Sequence, residues 1–212
     1  MSITHVVLLG DSILDNKAYV GDGPDVVAQL RAALPPGSTA TLLATDGDSA
    51  RDVARQLAAL PAEATHLIIS AGGNDAIAEA GVLMEGAASV AEAVEKLADV
   101  AQRFDRAYWA MLGNALAQGL PTTVCTIYDP NFGDPTEQLL TSTALALFND
   151  VILRNAFAAG APVLDLRLIC TDKADYANEI EPSSVGGEKI ARAIARVVTL
   201  HDFTRQRSEI FV

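Results

Sequence analysis

The sequence predicts an α/β protein: a three-layer α/β/α sandwich built on a five-stranded parallel sheet, with expected strand order 2-1-3-4-5, the flavodoxin-like arrangement. Three observations lead there. Short apolar, β-branched runs alternate with stretches whose apolar residues recur at i, i+3, i+4, the mark of successive βα units. The runs are almost continuously hydrophobic, so helices are expected on both faces of the sheet. The chain has 212 residues, half of them hydrophobic and only 20% charged, enough for one well-filled core; residues 1–200 read as a single domain and 201–212 as a C-terminal tail.

Five runs read as strands: HVVLLG from His5, TATLLAT from Thr39, THLIISAG from Thr65, PTTVCTIY from Pro121 and APVLDL from Ala161. Right-handed crossovers between them produce the expected order. Between the third and fourth runs, Val90, Val94, Leu97, Ala101, Phe104, Tyr108 and Met111 form one apolar helix face, which packing against the sheet explains. Trp109 lies off that stripe. A further helix is expected over Thr136–Ala158, and the last from Gly186 or Gly187 to Leu200. Beyond it, HDFTRQRSEIFV is mixed in character, either a frayed tail or an arm reaching another subunit of a homo-oligomer. Cys125 and Cys170 lack metal-ligand spacing and read as buried thiols.

The formal net charge of -12 argues against nucleic acid as a partner, since phosphate binding needs a concentrated basic surface. No run approaches the roughly 20 apolar residues of a membrane span. The opening MSITHVVLLGDS has neither a basic lead nor a small-residue cleavage site, so it reads as a strand, and a soluble, cytoplasmic protein is the expectation.

In an open α/β sheet, ligands bind beyond the carboxyl ends of the strands. Those ends are polar and glycine-rich here: Gly10-Asp11-Ser12, Asp46-Gly47-Asp48-Ser49, Gly72-Gly73-Asn74-Asp75 and Tyr128-Asp129-Pro130-Asn131. Neither a P-loop nor a GxGxxG fingerprint is present. Ser12, on a strand-to-helix turn, can be a nucleophile whose own N–H faces a developing oxyanion. Gly47 can bring a second backbone N–H close, and the Asn74 amide can supply a third donor. Each residue alone also has a structural reading, as a helix cap or a turn.

The GDS at 10–12 within VVLLGDSILDN, the glycine at 47 and the GGND at 72–75 resemble the first three sequence blocks of the SGNH, or GDSL-type, esterase and lipase superfamily. The closing EPSSVGGEKIARAI resembles its last block, so the likeness spans nearly the whole chain. The resemblance implies ester hydrolysis through a serine nucleophile, with Ser12, Gly47 and Asn74 in the roles above and no metal or organic cofactor.

One departure stands out. Aligned on Pro182, the family's catalytic histidine falls on Glu181 and its aspartate on Asn178. Topology speaks against the chain's three histidines: His5 and His66 open their strands, roughly 15–25 Å from the strand ends that carry the chemistry, and His201 follows a helix that starts at the active face, so only a folded-back tail would bring it there. Glu181 is then the base, or a charge favourably placed at a helix start. A glutamate with the ordinary pKa of about 4.3 is a weak base for a hydroxyl, and burial would have to raise it. The Asn178 amide can donate a hydrogen bond and orient that carboxylate.

Asp11, Tyr128 and Asn131 are candidate substrate contacts; Asp15, Asn16, Tyr19, Asp129 and Phe132 lie near the same face. No long apolar lid is evident, which points to a small or short-chain ester or thioester as the small-molecule substrate. A catalytically silent domain that binds an acylated or carbohydrate-like ligand is the rival reading. A flavodoxin-like nucleotide binder is a third, without a phosphate motif to support it.

Overall fold

The computed structural model describes residues 4–205 and 207–212. Six parallel strands form one sheet: β1 (His5–Gly10), β2 (Thr39–Leu42), β3 (His66–Ser70), β4 (Thr122–Cys125), β5 (Val163–Leu164) and β6 (Ile210–Phe211), in the order β2-β1-β3-β4-β5-β6. The five expected runs are β1 to β5 in the expected order. The sixth strand corrects the reading of the tail. Residues 210–211 pair in parallel with β5, and Val163 N–H and Asp165 N–H donate to the Glu209 and Phe211 carbonyls at 2.8 and 2.9 Å, so this segment is neither frayed nor an arm.

Seven α-helices accompany the strands: α1 (Val26–Ala33), α2 (Val53–Leu57), α3 (Gly73–Glu79), α4 (Val90–Leu116), α5 (Pro135–Ala159), α6 (Leu166–Ile169) and α7 (Ser184–Leu200). The central strand explains why the runs show no polar alternation. Val6 and Leu8 point into a core shared with α1 and α7, while Val7 and Leu9 point into a second core shared with α2, α4 and α5. Both faces are covered, so both parities must be apolar.

Local signals set the helix ends. Asp25 and Ser89 cap α1 and α4 by accepting from Ala28 N–H and Glu92 N–H. Asp134 caps α5, with Pro135 in its first turn, where a missing N–H costs nothing, and Gly160 closes it in the left-handed region. Helix α7 begins at Ser184, ahead of the expected glycines, because the Ser183 hydroxyl accepts from Val185 N–H and Gly186 N–H.

The apolar stripe of α4 is only partly core. Phe104, Tyr108 and Met111 are buried with Val100, Leu112 and Ala115, whereas Val90 and Val94 are exposed. The reason is length: 27 residues of helix span about 40 Å, well beyond a strand of four or five residues. Running antiparallel to the strands, α4 therefore carries its first turns past the carboxyl edge of the sheet. Trp109 is exposed, and both cysteines are buried and free. Among the described residues, no helix is long and apolar enough to cross a membrane.

Candidate active site

Strand β1 ends in a turn that only glycine permits. Gly10 has φ +118°, and a Cβ there would collide with the Ser70 carbonyl at the end of β3. Asp11 N–H donates to that same carbonyl at 3.0 Å, and Leu14 and Asp15 N–H close back on the Asp11 carbonyl at 3.1 Å. The tight turn presents Ser12 at the point where the strand order reverses between β1 and β3, the usual binding position in such sheets.

A residue without a sequence signal fastens this turn. Gln56, buried in α2, accepts from Gly10 N–H at 2.7 Å and donates to the Gly10 carbonyl at 2.8 Å and to Asp48 Oδ2 at 2.8 Å. The loop after β2 is tied down from the other side by Tyr19 Oη donating to Asp46 and by Asp46 N–H donating to Asp15. Ala50 N–H donates to Asp75 Oδ2. The first three strand ends thus form one hydrogen-bonded unit.

Glu181 comes to this unit from the loop before α7. Ser12 Oγ donates to Glu181 Oε1 at 3.1 Å, and both side chains are buried, at 7% and 6% exposure. The helix start already has its cap in Ser183, and the Glu181 carboxylate turns to the serine instead. Its other oxygen, Oε2, is buried with no protein partner. Burial raises the Glu181 pKa above the ordinary carboxylate value, the Ser12 hydrogen bond opposes this, and the Asp46 charge adds to it.

The route by which Asn178 acts differs from the expected one. Its Oδ1 accepts from Ile180 N–H at 2.9 Å and Glu181 N–H at 2.8 Å, so it orders the backbone of the loop and donates nothing to the carboxylate. Asn16, fully buried, holds the next residue, with Nδ2 donating to the Pro182 carbonyl at 3.1 Å while Oδ1 accepts from Val26 N–H. Tyr128, buried under the same loop, donates its hydroxyl to the Ile180 carbonyl at 2.7 Å. Asn131 touches the loop through its backbone, N–H to the Glu179 carbonyl, and stands outside the cavity lining.

Of the expected oxyanion donors, Asn74 lines the cavity beside Ser12, and its Nδ2 donates one proton to the Asp48 carbonyl at 2.9 Å, leaving the second. Gly47, with φ +85°, is exposed and, unlike Asn74, does not line the cavity. Asp11 is buried beside Ser12, accepting from Ile13 N–H and the Ser70 hydroxyl. Burial, with Glu181 and Asp75 nearby, pushes its pKa up to about 7.

The histidines sit where the topology puts them. His5 lies against Thr41 at the start of β1, and His66 at the start of β3 stacks edge-on with Phe203, which also stacks with His201. His201 lies 2.9 Å from Glu209.

Ser12, Asp11, Asn74 and Glu181 line a cavity of about 250 Å³, together with Ile77, Val82, Leu97, Val100, Leu145 and Phe148 from helical segments and Ile127 and Phe132 from the loop after β4. Residues 8–186, which include every one of these cavity residues, match the model of the GDSL-like lipase/acylhydrolase family. The chain belongs to this family.

Solved structures agree on the fold of this family member. An extracellular lipase from Streptomyces rimosus superposes with a TM-score of 0.68 at 16% identity, over 92% of this chain and 100% of that one. A phospholipase A1 from Streptomyces albidoflavus NA297 gives 0.62 at 16% identity over 92% and 99%. The psychrotrophic esterase EstA from Pseudoalteromonas sp., inhibited by monoethylphosphonate, gives 0.60 at 14% identity over 93% and 96%. No curated protein sequence matches the chain.

Proposed function

We propose that the protein is a serine acyl hydrolase in which a glutamate replaces the usual histidine as general base. The buried hydrogen bond of 3.1 Å from Ser12 Oγ to Glu181 Oε1 carries this reading. In the first half-reaction, Ser12 Oγ attacks the ester carbonyl carbon as its proton passes to the Glu181 carboxylate. The oxyanion is met by the Ser12 N–H and the second proton of the Asn74 amide. Collapse breaks the bond to the leaving oxygen, which takes the proton from Glu181. Water then attacks the acyl-serine, gives its proton to Glu181, and the acid leaves as Ser12 regains a proton. Asn178, Asn16 and Tyr128 hold the loop that aims Glu181, and Asp11 shapes the electrostatics around the serine.

A catalytically silent domain binding an acylated ligand is the second reading, favoured by the position of all three histidines at the opposite edge of the sheet. Fluorophosphonate labelling followed by intact-mass measurement separates the two. The hydrolase forms a single adduct that disappears in Ser12→Ala and is lost or greatly slowed in Glu181→Gln, which also lowers kcat/KM about 10²- to 10⁴-fold on a reporter ester. Absence of an adduct after long exposure, with no Ser12-dependent turnover, overturns the hydrolase in favour of the silent domain.

A further inference from the structure

The cavity that begins at Ser12 is larger and more apolar than a short acyl group requires. Beyond Asp11, Ser12, Asn74 and Glu181, much of its wall comes from three helical segments, α3 with the following turns (Ala76, Val82), α4 (Leu97, Val100) and α5 (Ala144, Phe148), and the loop after β4 adds Ile127, Tyr128 and Phe132. On α5 the lining residues Glu137, Thr141, Ala144, Leu145 and Phe148 follow helical spacing, so one face of the helix is given over to the cavity. On α4, Val100 belongs to the buried core and still borders the cavity. Leu97 reads as part of the apolar stripe in the sequence, yet here it borders space.

The volume sets the size of the guest. An apolar cavity of about 150 Å³ accommodates a benzene ring, six carbons. By the same measure, about 250 Å³ holds on the order of ten carbons. An acetyl group would leave most of the apolar wall uncovered, and a sixteen-carbon chain would not fit. Charge narrows the choice further: the described lining carries Asp11, Glu79, Glu137 and Glu181 but no Lys, Arg or His, so an anionic substrate group finds no counter-charge.

We infer that the cavity is an acyl-chain site for uncharged esters of medium chain length, about six to ten carbons, continuous with the serine and longer than the short acyl group expected from the sequence. This rests on the hydrolase reading for turnover, but the site itself can be tested without it.

The first experiment measures kcat/KM on p-nitrophenyl esters from acetate to palmitate. A rise of up to roughly fourfold per methylene, as full burial of each CH₂ would produce, with a maximum between six and ten carbons and a fall beyond, is the expected result. A maximum at acetate, or a flat series, overturns the inference. Ala144→Phe, which builds a ring from α5 into the cavity, moves the maximum to shorter chains and lowers the octanoate-to-acetate ratio at least tenfold; an unchanged ratio in folded variant protein counts against the site. The second experiment separates the two readings. Ser12→Ala protein is titrated calorimetrically with methyl octanoate beside methyl acetate. Preferential binding of the octanoate supports the acyl site even if no ester is turned over, in which case the hydrolase reading alone has failed. No binding difference between the two esters, together with no chain-length preference in turnover, removes the acyl site.

Discussion

At the residue scale, the proposed chemistry rests on two buried carboxyl groups, Asp11 and Glu181, beside the Ser12 hydroxyl. A base acts only when deprotonated, so activity is lost as pH falls through the Glu181 pKa, which burial places above the ordinary carboxylate value. Asp11 works the other way. Its pKa lies near 7, and once ionised it adds a negative charge beside the forming oxyanion, so activity should decline as pH rises through that value. The expected kcat/KM profile is a bell, and Asp11→Asn should convert it to a rise and plateau. A falling limb that persists unchanged in Asp11→Asn would refute the assignment. Stability supplies an independent readout with a fixed sign. The folded state holds the Asp11 proton from the unfolded value of about 3.9 up to about 7, so stability contributed by the neutral form is lost as pH rises across that window. Asp11→Asn should flatten the dependence of Tm on pH between about 4 and about 7.

At the scale of elements, the local patterns made most of the fold legible and only part of the site. Strands β1 to β5 were readable because burial on both faces demands unbroken apolar runs, whereas β6 has two residues and follows a charged stretch, too short for any period to show. Ser12 and Asn74 stood out because strand ends concentrate polar residues, and both line the cavity; Glu181 stood out only through its alignment on Pro182, and Gly47 lies outside the lining. The cavity was hidden, since Val100 and Phe148 look like core whether they border protein or space. Gln56 was hidden too: one glutamine in a short helix carries no pattern, and its role exists only because α2 lies against the end of β1. It satisfies both polar groups of Gly10 and reaches Asp48. Gln56→Ala strands those groups in a buried setting, at about 1–3 kcal/mol for an unsatisfied group. The stability loss should appear in urea unfolding. Because Gln56 positions the serine turn without lining the cavity, kcat should fall about tenfold or more with KM little changed, measured where the variant is fully folded. A purely structural role would leave kcat intact under those conditions.

At the scale of the whole molecule, the proposed site lies at the β1–β3 switch and the far edge of the sheet is closed by β6. Residues 209–211, part of a segment that looked separable from the domain, supply that closure. Strand β5 has only two residues, both fully buried, and it depends on β6 for partners to Val163 and Asp165 N–H. Phe211 packs against the core shared by α1 and α7 and stacks edge-on with His201, which in turn lies against Glu209. Deleting residues 208–212 would strip the edge of its hydrogen bonds, remove an aromatic contact and leave β5 open to pairing with another chain. A loss of roughly 2–4 kcal/mol is expected from the unpaired groups and the lost packing, seen as a lower urea midpoint, with self-association appearing in size-exclusion chromatography. The site lies across β4 and β3 from this edge, so Ser12 should still react with a fluorophosphonate at temperatures where the shortened protein is folded. An unchanged urea midpoint would mean that residues 201–212 are a dispensable tail after all, and loss of Ser12 labelling in folded protein would mean that the far edge sets the geometry of the serine turn.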